Sequence, residues 1–478
     1  MKLYSTLDRG IVDIQPLKNN TFSIYSCGPT VYSRMHLGNI RAYVDWDIMQ
    51  RAMMYLGYKV QRVMNFTDVG HMTSDENFGE DKMDKEAIKE GKEPIEIANE
   101  YIDTVLDDFR ALNILSPSGE NISGDLNYQD VEKYGWMRAT NYIPEMISLI
   151  QKMETNGYTY ETNQAVYFDV TKVLDYTIFT GQKLEDKNVG NREEVDVDPS
   201  KKHPADFVLW MKRAGKYANH VMHWESPWGD GFPGWHIECS AMGTKALGEH
   251  FDIHTGGVDH IPVHHPNERA QNIGAFGQPV VHYWVHNEWL VSKDDEKLSK
   301  SKGNADTLPE AITFGFDPLD VRYLFMSVNY HTKLQFSTEA LEGARNARIN
   351  LNTRVKDLGN QRGDLIPEYV ERFKNALNNN LNMSEVLAVI SEMLKSNNEK
   401  ENKLATILDF DRVLGLRLDN IEDSVVKITD EEIERYASER DLARKEKRYE
   451  DADSFRKKIE EAGYKVIDTP EGTKYAKY

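Results

Sequence analysis

Phe22 and Ile24 alternate with serine and tyrosine over residues 22–27, the period-two pattern of a strand, and the run stops at Gly28-Pro29, a tight-turn dipeptide. From Gly38 to Tyr55 the period changes. Ile40, Val44, Ile48 and Ala52 recur every four residues, which predicts a helix that Gly57 terminates. Valine and other β-compatible residues return over Lys59–Phe66. Strand, turn, helix, strand is a βαβ unit and implies a parallel sheet. Ligands on such sheets collect beyond the carboxyl ends of the strands, where Cys27 and Thr67 fall.

Downstream, the pattern divides the chain into segments. Residues 68–100 are acidic and glycine-containing around Asp75–Asp81 and then turn helical. Residues 121–226 contain a predicted strand at Val166–Val170 and the apolar run ending at Trp210, and read as an insertion between 1–120 and 227–278, where short strands and helices resume. A segment 279–340 follows. From about Ser337 the pattern is helical and polar, with a loop at Ser396–Asn402, and 341–423 reads as a helical bundle. The last segment, 424–478, restarts with a charged helix, then a predicted strand at Gly463–Asp468 and a turn at Pro470–Gly472. The expected class is α/β: a Rossmann-like parallel sheet with an insertion domain, then a helical bundle and a small mixed α/β domain.

Composition narrows the function classes. The 478 residues suffice for three or four domains at roughly 100–200 residues each. A net charge of −20 argues against a nonspecific nucleic-acid coat but permits a local basic face. Residues 431–478 hold 12 Lys and Arg against 13 Asp and Glu, so the tail is far less acidic than the rest. No apolar leader and no 18-residue apolar run occur, so neither secretion nor a membrane span is expected. Two cysteines cannot make a disulfide scaffold; a cytoplasmic location with both thiols available for metal is the expectation.

Those cysteines lie in informative places. Cys27 opens Cys-Gly-Pro-Thr-Val-Tyr-Ser-Arg-Met-His-Leu-Gly-Asn39, Cys239 lies in Gly234-Trp-His-Ile-Glu-Cys-Ser-Ala-Met242, and Lys297-Leu-Ser-Lys-Ser301 follows. His264 and Glu268 are four apart, and Pro266 suits a first helical turn, so the two would share a helix face. A lone buried cysteine is usually a small core hydrophobe. Two thiols, an imidazole and a carboxylate together suit Zn²⁺.

The three motifs jointly resemble the signatures of class I aminoacyl-tRNA synthetases, and the two cysteines narrow the resemblance to the cysteinyl-tRNA synthetases. The resemblance extends over nearly the whole chain. It implies a zinc ion, one per chain, on Cys27, Cys239, His264 and Glu268, with His265 as the alternative to His264. Cysteine and serine differ by one atom. An open position on zinc would take the thiol as thiolate through a soft bond that a hydroxyl cannot match, so no editing domain is needed. A carboxylate ligand is unusual in purely structural sites and favours the substrate-binding reading.

The resemblance assigns His36 and Asn39 to the triphosphate at a helix N-terminus, and Lys297 and Lys300 to the leaving pyrophosphate. Asn39 stands where the family has histidine, so it donates hydrogen bonds but carries no charge. Leu298 replaces the usual methionine at similar volume. His254-Thr-Gly-Gly-Val-Asp259 implies backbone approach to adenosine at Gly256 and Gly257, an ammonium contact at Asp259 and a carboxylate or adenylate contact at His254. Trp235 and Thr67 complete the expected pocket. ATP with Mg²⁺, L-cysteine and tRNA(Cys) are the implied partners, with 341–423 approaching the tRNA, 424–478 the anticodon, and a monomer as the assembly. Two other readings stand beside this one. A cysteine ligase acting on an amino sugar, of the mycothiol type, would lack so long a C-terminus. A non-catalytic RNA-binding paralogue would show broken signatures.

Overall fold

A computed structural model describes residues 1–70, 82–182, 184, 198–291, 306–421, 430–461, 464–469 and 472–477. A hairpin, β1 (Lys2–Ser5) and β2 (Gly10–Asp13), precedes β3 (Thr21–Ser26), α1 (Leu37–Tyr55) and β4 (Lys59–Phe66). Next come α2 (Lys82–Glu90), α3 (Pro94–Ala111), β5 (Trp136–Arg138) and α4 (Ile143–Thr155). The strands β6 (Thr159–Glu161), β7 (Ala165–Phe168), β8 (Phe207–Lys212) and β9 (Gly231–Pro233) form an antiparallel sheet of four in that order. The chain continues with α5 (Trp235–Leu247), β10 (Phe251–Gly257), α6 (His264–Phe276), β11 (Val281–Asn287) and β12 (Leu290–Val291). After α7 (Leu308–Thr313), α8 (Pro318–Met326) and β13 (Leu334–Gln335), the helices α9 (Thr338–Lys356), α10 (Pro367–Asn378), α11 (Met383–Lys395) and α12 (Lys400–Leu414) follow. The last unit is α13 (Asp430–Lys445), α14 (Tyr449–Glu461) and the hairpin β14 (Tyr464–Thr469) and β15 (Gly472–Lys477).

The central sheet has five strands in the order β11-β10-β3-β4-β5, all parallel. Each parallel connection needs a crossover, which α1 supplies between β3 and β4 and α6 between β10 and β11. Alternation along β3 sends Phe22 and Ile24 into one core and Tyr25 into another on the opposite face. The β3–α1–β4 unit of the sheet was legible from period alone, and β10 falls in 227–278, where short strands and helices were expected without bounds. Its edges were not: β5 lies inside 121–226, the segment expected to be insertion, and β11 lies beyond 278, so the sheet crosses both expected seams. A three-residue strand carries too few positions to show a period, and β11 loses its alternation over Trp284–Asn287, where both faces are buried.

Close approach of backbone fixes the end of β3. A Cβ on Gly28 would lie 1.6 Å from Asn65 O, while the Gly28 N–H donates to Asn65 Oδ1 at 2.7 Å. The turn after β3 therefore presses on the end of β4, and Cys27 N–H donates to Thr255 O at 3.0 Å on the neighbouring β10.

Candidate zinc centre and adenylation cleft

Three adjacent elements converge beyond the carboxyl ends of β3 and β10. Cys27 follows β3, Cys239 lies in the second turn of α5, and His264 opens α6 with Glu268 one turn on. One ligand atom from each of Cys27, Cys239, His264 and Glu268 lies within 4.8 Å of all the others, and all four residues are buried. His254, His265, Cys27 and Glu268 form an overlapping group.

The hydrogen bonds separate the two sets. His265 is engaged on both sides: Nε2 lies 3.4 Å from Cys27 Sγ, and Nδ1 lies 2.6 Å from His286 Nε2, whose Nδ1 is 2.6 Å from Thr6 Oγ1. His254 Nε2 is 2.8 Å from Glu268 Oε2, and its ring stacks on Trp284. His264 is different. Its Nδ1 is 2.8 Å from His236 Nδ1, and its Nε2, like Nδ1 of His254, has no hydrogen-bond partner although Glu268 Oε1 is 3.0 Å away. A buried nitrogen without a partner costs free energy, and this one faces two sulfurs and a carboxylate. Such a donor set fits zinc.

Electrostatics agree. Burial pushes Glu268 up, but His254 and His264 outweigh it and hold the carboxyl at about 2. Burial pushes His264 down, yet Glu268 and Cys239 raise it to about 10. The thiols split. A hydrogen bond from Cys27, against burial, brings Cys239 down to about 6, while burial and Cys239 push Cys27 up. Burial also pushes His265 and His286 well below the usual histidine value, so both are neutral imidazoles. The Glu268 carboxylate and the Cys239 thiolate place two negative groups around His264, so the site favours a positive charge, a proton on His264 or a cation that displaces it.

A cleft of ≈ 340 Å³ opens beside the cluster, and Cys27 and Trp235 line both. His36 and Asn39 sit on its rim at the N-terminus of α1, the helix end whose dipole favours phosphate, although Leu37 N–H already donates to Asp306 O at 2.7 Å. Gly256, Gly257 and Asp259 line the facing wall. A Cβ on Gly256 would lie 2.5 Å from His260 Nδ1 and 2.7 Å from His265 Cε1, so only glycine lets β10 end there. Asp259 already accepts a hydrogen bond from the Trp289 indole N–H, a contact that sequence reading missed. Thr67 stands behind the cleft and donates to Glu238 Oε2 at 2.9 Å, and His254 sits in the cluster, not in the cleft lining. His286, His236 and Glu238 were also missed. Each is one polar residue in a buried element, with no spacing signal to mark it. Lys297 and Lys300, and the acidic Asp75–Asp81, lie outside the described residues. Among the described residues no helix is long and apolar enough to cross a membrane.

Residues 13–346 match the family described as tRNA synthetases class I (C) catalytic domain. A cysteine–tRNA ligase of Treponema denticola is 38% identical over 100% of this chain and 99% of its own length. Cysteine–tRNA ligase 1 of Burkholderia lata is 38% identical over 99% of this chain and 96% of its own. In fold, the chain resembles Mycobacterium tuberculosis methionyl-tRNA synthetase in complex with methionyl-adenylate, with TM-score 0.53, 14% identity, and coverage of 83% of this chain and 90% of that one. The LeuRS of the Agrobacterium radiobacter K84 ternary complex gives TM-score 0.57 at 10% identity over 85% of each chain. The sheet, the cysteine pair and the full-length likeness lead to one assignment: this chain belongs to the cysteine–tRNA ligase family of class I tRNA synthetases.

Proposed function

We propose that the chain joins L-cysteine to tRNA(Cys) in two steps. A cysteine carboxylate oxygen attacks the α-phosphate of ATP, and the bond to the β-phosphate breaks to release pyrophosphate. A terminal ribose hydroxyl of the tRNA then attacks the cysteinyl carbonyl, and AMP leaves. The observation that carries this reading is the convergence of Cys27, Cys239, His264 and Glu268 within 4.8 Å at the foot of a cleft rimmed by His36 and Asn39.

Those four residues would hold one zinc ion, which supplies a soft Lewis acid that binds a thiol as thiolate and favours it over a hydroxyl. His265, through His286 and Thr6, supports Cys27 as an outer partner rather than a ligand. Trp235, packed on His264 with ring centroids 4.4 Å apart, walls the thiol pocket. Asp259 orients the ammonium together with Trp289. Gly256 and Gly257 give the adenosine backbone access. Thr67 holds Glu238, and His254 holds Glu268, so both act through neighbours. His36 and Asn39 hold the triphosphate with Mg²⁺, and Lys297 and Lys300 clamp the departing pyrophosphate. In-line attack between two anions needs this charge neutralisation and positioning. The helices α9–α12 approach the tRNA and residues 424–478 its anticodon; the enzyme acts as a monomer in the cytoplasm.

The test is charging of a cysteine tRNA by the purified chain, with zinc measured per chain and with either cysteine or serine offered. Charging with cysteine alone at one zinc per chain supports the reading; charging with serine at a similar rate refutes the zinc-based selection. The amino-sugar ligase has no support, because the likeness to the curated relatives runs through the C-terminal region.

A further inference from the structure

A second recess has no part in the chemistry above. It has a volume of ≈ 510 Å³ and lies where the carboxyl ends of α1, α3 and α12 meet. The rise of an α-helix separates Arg51 in this recess from His36 on the cleft by about 22 Å along α1. Five arginines line it: Arg51, Arg110, Arg362, Arg412 and Arg417. In a chain of net charge −20 such a concentration is not a matter of composition.

The wall is built, not incidental. Arg51 donates to Asn113 O at 2.6 Å and to Arg412 O at 3.2 Å, and Asn113 Nδ2 donates to Gly415 O at 2.9 Å. Arg110 donates to Ser123 O at 3.0 Å, and Arg417 Nη2 donates to Arg110 O at 2.8 Å. Arg417 is held at φ +57, the left-handed region that non-glycine residues seldom adopt. Leu416 and Leu418 on either side are buried, so this conformation turns the Arg417 side chain outward. Asp411 stabilises the turn by accepting Leu416 N at 2.8 Å and Leu418 N at 2.7 Å.

Charge accounting selects the ligand. Arg51, Arg110 and Arg412 are paired with Asp47, Asp107 and Asp409, none of which lines the recess. Arg362 and Arg417 have no ion-pair partner among the described residues, and both are exposed. Asp411 and Asp419 are the acidic groups of the lining, and burial pushes the Asp411 carboxyl up, with its oxygens already committed to backbone N–H groups. Guanidinium groups arrayed around a recess match phosphate oxygens in geometry and charge.

We propose that this recess is a phosphate-binding site separate from the adenylation cleft, with Arg362, Arg412 and Arg417 as its contacts. The phosphate comes either from a free polyphosphate or from the tRNA backbone, and the site does not rest on the zinc assignment. The test uses the full chain and the double variant Arg362→Gln/Arg417→Gln. Tripolyphosphate is titrated calorimetrically while a non-hydrolysable cysteinyl-adenylate analogue fills the cleft, and tRNA binding is measured across a salt series. A free-polyphosphate site predicts tripolyphosphate binding to the native chain that weakens roughly tenfold or more in the variant. A backbone site predicts no such binding, but weaker tRNA affinity with a salt slope reduced by about 1 per lost contact. The melting temperature and the pyrophosphate-exchange rate stay unchanged in either case, and Arg417→Lys recovers part of the binding. If the folded variant matches the native chain in both titrations, the proposal is wrong. If the double variant melts early, the exposed single change Arg362→Gln carries the same comparison.

Discussion

The selectivity problem sits on single atoms. The Sγ atoms of Cys27 and Cys239 have nearly identical surroundings by composition but opposite electrostatics: Cys239 is drawn toward thiolate by Cys27 and His264, and Cys27 is pushed toward thiol by burial. On the zinc reading, removing the Cys239 sulfur takes away a ligand at little cost in volume. Cys239→Ala is expected to lower zinc well below one per chain and to reduce pyrophosphate exchange by more than the roughly 10–100-fold seen for outer-shell partners. Full zinc occupancy by elemental analysis would remove Cys239 from the ligand set. Away from the centre, Asp45 in α1 is raised to about 7 by burial, with Arg41 and Asn287 only partly offsetting it. A carboxyl whose folded pKa lies above its unfolded value binds more protons when folded, so its contribution is full below about pH 4 and is lost as pH rises to about 7. Asp45→Asn is expected to gain melting temperature over the native chain progressively from pH 5 to 8. A difference independent of pH would refute it. Arg41 tolerates the change because it donates to Trp289 O at 2.7 Å, Thr332 O at 2.6 Å and Glu288 O at 3.0 Å.

At the scale of one element, α1 shows what a hydrophobic stripe leaves out. Ile40, Val44, Ile48 and Ala52 are buried as their spacing predicts, but so are Arg41, Asp45, Asp47 and Arg51. The charged side is covered from two directions: Arg41 and Asp45 lie against Glu288, Trp289 and Asn287, and Asp47 and Arg51 against α8 and α12. Asp47 accepts Leu115 N at 2.8 Å, Arg51 Nε at 2.8 Å and Arg322 Nη2 at 2.6 Å, and those contacts keep its carboxyl low against burial. Arg322 in α8 also donates to Leu414 O at 2.7 Å and Leu112 O at 3.1 Å. One end of α1 rims the cleft and the other ties the helical segments together. Asp47→Ala strands two buried guanidiniums, and a loss of about 3–5 kcal/mol in denaturant unfolding is expected. A loss under about 1 kcal/mol would mean that water or rotation relieves them.

Across the molecule, cores and sequence segments do not coincide. One core runs from Met1 through Val44, Phe325 and Phe373 to Leu418, joining the parallel sheet to the helices α8–α12. A second, on the other face of the sheet, joins Tyr25 and Trp284 to Phe168 and Phe207 of the insertion. The last unit has its own small core of Ile433, Ala437, Ile459, Tyr464 and Val466. A cut near residue 340 would split the first core and expose the face of α1 that α12 covers, so that fragment is not expected to fold. A chain ending at residue 421 keeps the first two cores whole. It is expected to retain zinc and pyrophosphate exchange near the native rate while losing tRNA charging. Charging at the native rate by this shortened chain would exclude the C-terminal unit from tRNA recognition.

The sequence by itself determined the βαβ start, the position of Cys27 at a strand end, the His264–Glu268 pair on one helix face and the family. Period and motif act over a few neighbouring residues, where local geometry decides which side chains share a face. Only the tertiary structure decided that Cys27 and Cys239, 212 residues apart in sequence, point at one carboxylate. It also decided that His265 is tied to His286 while His264 Nε2 is left without a hydrogen-bond partner. The same holds for the strands β5 and β11, which are too short or too covered to show a period, and for the arginines drawn from three helices and two loops into one recess. Such contacts depend on which elements pack together, and long-range packing leaves no local pattern to read.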